Sequence, residues 1–78
     1  MSKKFNELCN ALISTKIDFK SLDGKSIKLK TRGNTMLIYD NNNHIKVCIV
    51  NHNGNVCEVK EIVLFNRTID ALNFILKC

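Results

Sequence analysis

Two histidines and two cysteines, His44, Cys48, His52 and Cys57, occur within one short stretch of the chain. Imidazole and thiolate are common zinc ligands, and a thiol beside an imidazole is a common nucleophile–base pair. Their spacing argues against both roles. Residues 43–51 alternate as a strand, and residues four apart on a strand are separated by about 13 Å, at roughly 3.3 Å per residue. One ion cannot bridge His44 and Cys48 at that distance, and no clean hydrogen bond forms across it. There is no CxxC pair of the zinc-finger type. His52, beside Asn53-Gly54, is expected to decorate a turn. Neither a metal nor a cofactor is expected. The chain also lacks a G-x-S-x-G elbow and a phosphate-binding glycine loop. Glu58 and Glu61, three apart on a strand, point to opposite faces. The expectation is a protein that binds rather than catalyses.

The second chemically loaded group is SIKLKTRGN, where Lys28, Lys30 and Arg32 take every second position from 28 to 32. Residues 1–32 hold eight basic and three acidic side chains, and residues 33–78 hold four of each. The net charge of +5 therefore lies entirely in the first part of the chain. Such concentration suits a polyanionic or acidic partner.

Two helices and a run of strands must position these groups. Phe5, Leu8, Cys9, Leu12 and Ile13 make one apolar stripe at helical spacing, with Ser2 as a cap. Phe65, Ile69, Leu72 and Leu76 repeat that spacing at the other end, with Asn66 or Thr68 as the cap. Between them the period falls to two, and turn signals recur at Asp23-Gly24, Gly33-Asn34, Asn41-Asn42 and Asn53-Gly54. Strands are expected near 17–21, 25–32, 35–40, 43–51 and 55–64. The fold class is α+β in two layers: an N-terminal helix, a five-stranded antiparallel meander and a C-terminal helix, both helices on one face. All 78 residues form one domain.

A three-residue loop at 22–24 sets Phe19 opposite Ile27, Ile17 opposite Leu29 and Asp18 opposite Lys28. Two-residue turns at Gly33-Asn34 and Asn41-Asn42 set Leu29 opposite Ile38 and Ile38 opposite Ile45. A loop at 52–54 sets Ile49 opposite Cys57 and Val47 opposite Val59, with Lys46 against Lys60. The core face then reads Ile17, Phe19, Ile27, Leu29, Met36, Ile38, Ile45, Val47, Ile49, Cys57, Val59 and Val63, with Glu61 a misfit.

The opposite face collects the candidate binding residues Lys20, Lys28, Lys30, Arg32, Leu37, Tyr39, Lys46 and Lys60, with Cys48 beside them. Tyr39 is expected opposite Lys28 and Leu37 opposite Lys30. An open sheet with lysines around an aromatic resembles, in general style, the platforms that bind single-stranded nucleic acid. The order of elements also resembles double-stranded RNA-binding domains, but NRTIDALNF offers only Arg67 where those carry a lysine cluster. Val50, Val56, Ile62 and Leu64 form a second outward group, suited to a protein contact, either self-association as a homodimer or a partner.

The expected function is that of a small inhibitor or adaptor docking on a nucleic-acid-handling protein or ribonucleoprotein with an acidic surface. An anti-defence role against CRISPR systems is one instance. Direct binding of single-stranded RNA or DNA is the alternative. Lys, Asn and Ile dominate and Pro is absent, a bias that fits an AT-rich genome such as that of a low-GC bacterium or its phage. FNELCNALI is amphipathic rather than a signal-peptide core, and no apolar run could span a bilayer. A cytoplasmic location and no membrane contact are expected. The four cysteines, Cys9, Cys48, Cys57 and Cys78, are expected to be reduced.

Overall fold

A computed structural model describes residues 2–31, 33–53 and 56–77. The elements run α1 (Lys3–Ser14), β1 (Phe19–Ser21), β2 (Ser26–Thr31), β3 (Asn34–Asn41), β4 (His44–Asn53), β5 (Val56–Phe65) and α2 (Thr68–Lys77). The five strands form one antiparallel sheet in chain order, β1-β2-β3-β4-β5. Both helices pack on the same face of it. Among the described residues no helix is long and apolar enough to cross a membrane.

The helix α1 begins where Ser2 accepts from the Phe5 N–H at 3.3 Å. It ends in a Schellman motif, with Ile17 N–H donating to the Leu12 carbonyl (2.9 Å) and Lys16 N–H to that of Ile13 (3.1 Å). The left-handed residue of that motif is Lys16, at φ 61°, where glycine is usual. The motif holds Ile17 against the helix end, so β1 starts at Phe19 and not at Ile17. Ser2 also donates to Asp40 through its backbone N–H (2.6 Å) and hydroxyl (2.7 Å), which ties the helix start to the end of β3. Lys4 donates to the carbonyls of Asn43 (2.9 Å) and Asn66 (2.7 Å), clasping two loops.

Phe5, Leu8 and Leu12 are fully buried against Ile27, Leu29, Met36, Ile38, Ile45, Val47 and Ile49, while Ile17 and Phe19 pack at the margin. Burying such side chains stabilises by about 1.5–3 kcal/mol each. Ile13, expected on the buried stripe, is 63% exposed. The helix α2 is rotated from its expected face. Ala71 and Ile75 enter the core, Leu72 and Phe74 are half-buried, and Ile69 and Leu76 face outward. Ala71 is small enough to permit close helix packing, and Phe74 turns to meet Phe65 at a ring separation of 5.3 Å. Thr68 does not cap α2. It is the first helical residue, and its hydroxyl donates to the Lys4 carbonyl at 3.1 Å.

Every hairpin differs in register from the sequence expectation. Phe19 pairs with Leu29 and Lys20 with Lys28, so the Asp18–Lys28 pair does not form. The loop is longer than three residues. Leu22 N–H closes it onto the Ser26 carbonyl (3.0 Å), while the Asp23 carboxylate accepts from Lys25 N–H (2.9 Å) and the Ser26 hydroxyl (2.8 Å). Next, Ile27 pairs with Ile38 and Leu29 with Met36, because Asn34 already belongs to β3, opposite Thr31. Ile38 then pairs with Val47, since Asn41 pairs with His44 and the turn falls on Asn42-Asn43. Each of these slips is two residues, so every side chain keeps its face.

The last hairpin differs more. Ile45–Ile49 pair with Phe65–Glu61, Val50–Asn53 pair with Val59–Val56, and a bulge between the two runs makes Lys60 the extra residue of β5. His52 therefore lies within β4, opposite Cys57, and not in a turn. The bulge shifts the alternation by one, which takes Cys57 and Val59 out of the core face and onto the open one. Glu61 stays on the core side, opposite Ile49, but exposed to water.

Candidate binding face

The sheet face away from the helices is ordered as three cross-strand rows. One runs Lys20, Lys28, Leu37, Cys48, Ile62; the second Lys30, Thr35, Val50, Val59; the third Ser26, Tyr39, Lys46, Leu64. The first two pass from lysine at β1–β2 to aliphatic side chains at β5. Sequence patterning placed these residues on one face but not in these rows. Tyr39 lies opposite Ser26 and not Lys28, and Leu37 lies opposite Lys28 and not Lys30. Lys46 meets Leu64 instead of clashing with Lys60, which is the bulge residue. Arg32 lies outside the described residues.

The basic half is more concentrated than the strand pattern alone suggests. Lys16, Lys20, Lys28 and Lys30 line one open cleft of about 690 Å³ at the β1 edge, with Ile17, Phe19 and Leu29 also in its lining and Asp18 as its one acid. Lys16 was not a sequence candidate, since a helical pattern gives no sign that the following lysine will turn left-handed. Lys20 and Lys28 are direct cross-strand neighbours. Like charges so placed repel, at a cost of about 0.2–1 kcal/mol. The one ion pair among the described residues joins Arg67 to Asp70 at 3.2 Å, on the helix side. None of the cleft lysines is neutralised by a carboxylate in that way.

The strand acids sit elsewhere. Asp40 and Glu61 lie on the core side of their strands, and Glu58, opposite Asn51, shares that side beyond the bulge. Burial acts to raise the pKa of Asp40, but the two donors from Ser2 and the Asn42 N–H outweigh it and hold the carboxyl below its ordinary value. The Asp23 carboxyl is lowered by the Lys25 N–H and the Ser26 hydroxyl, so it serves the loop.

Tyr39 is half-buried, and Lys46 Nζ stands over its ring, 5.6 Å from the centroid. This cation–π contact occupies one side of the only aromatic in the three rows. In the apolar half, Cys48 and Val50 are buried although no helix covers them. Val50, expected outward and free, is 2% exposed beneath its sheet neighbours. Val56 falls on the other face because of the bulge, while Val59, Ile62 and Leu64 are each more than half exposed.

The described thiols are free and dispersed: Cys9 in α1, Cys48 buried in β4, Cys57 exposed in β5. Burial, with Asp40 nearby, raises the Cys9 pKa and keeps that thiol protonated. No group of three metal-ligating side chains occurs among the described residues. No protein-family model matches the chain, and neither a curated protein nor a solved structure does.

Proposed function

We propose that this chain is a small, non-enzymatic binding protein that docks through its open sheet face onto a partner presenting an acidic surface. The observation that carries the reading is the cleft of Lys16, Lys20, Lys28 and Lys30, with a cross-strand like-charge pair in its lining and Asp18 as its one acid. Folding gains nothing from setting Lys20 against Lys28, whereas an anionic partner would relieve the repulsion. Aliphatic side chains on the same face suit a protein surface better than a bare polyanion. An inhibitor or adaptor of the phage type, docking on a nucleic-acid-handling assembly, fits this mixture.

Direct nucleic-acid binding through the same lysines is the competing reading. It has less support, because stacking on Tyr39 would have to displace Lys46. Pull-down from the native host with Lys28→Glu and Lys30→Glu tests the docking reading. The double variant is expected to lose the captured protein with a melting temperature no lower than that of the wild type, since Lys28→Glu also relieves the repulsion with Lys20. Unaltered capture would remove the basic face from the function. Anisotropy with labelled single-stranded RNA and DNA separates the two readings. Tight binding to the bare polymer at physiological salt would favour the second.

A further inference from the structure

The strand β5 is an edge strand of ten residues, and no other described element covers its exposed aliphatic side chains. Val56 is 61% exposed, Val59 57%, Ile62 55% and Leu64 57%. A long apolar edge is a template for pairing with another chain. The bulge gives this edge a further property. Cys57 and Val59 face the open side before it, and Ile62 and Leu64 face that side after it. These positions are mirror-placed about the peptide bond joining Lys60 to Glu61: 57 with 64, and 59 with 62. On the other side Val56 mirrors Phe65, and Glu58 mirrors Val63. A two-fold interface requires a surface that complements itself.

We infer that β5 is a self-association edge, on which a second copy of the chain lays its own β5 antiparallel, with the two-fold axis at the Lys60–Glu61 peptide bond. The two sheets then form one continuous ten-stranded sheet.

The register is selected by faces and by charge. Residues paired across the bulge keep their faces matched only when one number is odd and the other even. With the axis at Lys60–Glu61, Lys60 of each copy meets Glu61 of the other, Val59 meets Ile62, and Cys57 meets Leu64. Moving the axis one residue towards the N-terminus sets Glu58 against Glu61 twice. Moving it one residue the other way sets Glu61 against Ile62, on opposite faces. Charged side chains and bulges usually blunt an edge against pairing. Here they exclude every full-length register but one, which makes the contact specific. The inference does not depend on the basic cleft, which lies at the opposite edge.

Light scattering after size exclusion tests it on the full chain, whose protomer mass is 8.9 kDa. The expected mass is twice that. Lys60→Glu should halve the mass by opposing two pairs of carboxylates, and the swap Lys60→Glu with Glu61→Lys should restore the dimer. Leu64→Cys fixes the register independently. Antiparallel partners lie about 4.5–5.5 Å apart, within disulfide reach. Mild oxidation should then give a covalent dimer whose linked peptides contain Cys57 of one copy and position 64 of the other. A protomer-sized wild-type chain with no such crosslink overturns the inference. So does a dimer that persists in Lys60→Glu and forms no crosslink, since another surface then holds it.

Discussion

At one edge of the sheet, β1 contributes three residues and stands beside four lysines; at the other, β5 contributes ten and exposes aliphatic side chains. Both edges belong to the same open face, yet they manage water differently. The β1 edge is short and charged, which deters strand addition and leaves the lysines solvated and available. The β5 edge is long and apolar, and its neighbours Cys48 and Val50 are already dry without any helix above them. Under the proposed function, charge at the first edge serves recognition, and folding does not need it. Apolar surface at the second is partly structural, because the same rows that end in Val59 and Ile62 bury Val50 and Cys48.

The sharpest test of that division is a pair of matched charge insertions. Val50→Asp should destabilise the chain by about 3 kcal/mol or more, because a carboxylate replaces a buried side chain that has no partner there. Lys30→Asp, in the same row but on the exposed basic side, should stay within about 0.5 kcal/mol. Equal losses in thermal melting would erase the distinction between the halves.

A smaller effect is expected at Asp40, which ties the start of α1 to the central strand β3. Asp40→Asn should cost about 1 kcal/mol, since its bonds from Ser2 are charge-assisted but only partly buried. Its folded pKa is lowered, so its contribution is full above the ordinary value of 3.8 and fades as pH falls through the folded value. Acid titration of melting temperature should show that fade in the wild type and lack it in Asp40→Asn.

A small change of the opposite sign should come from Lys20→Glu. It turns a repulsive cross-strand pair into an attractive one and should gain a few tenths to about 1 kcal/mol. Capture of the partner should fall at the same time. A variant that gains stability and keeps its partner would show that the cleft serves neither end.

Much of this arrangement is legible in the sequence. The stripe at Phe5, Leu8 and Leu12 locates α1, and the alternation around Ile27, Leu29, Met36, Ile38, Ile45 and Val47 assigns the two faces of the sheet. The registers were not legible. Gly33-Asn34 and Asn41-Asn42-Asn43 each tolerate the turn at more than one place, and a slip of two residues leaves the hydrophobic pattern unchanged. The bulge at Lys60 has no local signature, so Cys57 and Val59 were placed on the wrong face. Lys16 was missed because its left-handed backbone depends on the Schellman closure onto Leu12 and Ile13 and not on its side chain. The rotation of α2 is not legible because Ala71, which is fully buried, carries a weaker hydrophobic signal than Ile69, Leu72 and Leu76.

The bulge also bears on how the sequence can change length. A strand with strict alternation cannot absorb a single inserted residue without turning everything beyond it inside out. β5 already carries one unmatched residue, and it does so at the rim, where only one neighbour must adjust. Drift in length should therefore collect in β5 and the connection before it. In β3 and β4, held on both sides, insertions and deletions should survive only in even numbers.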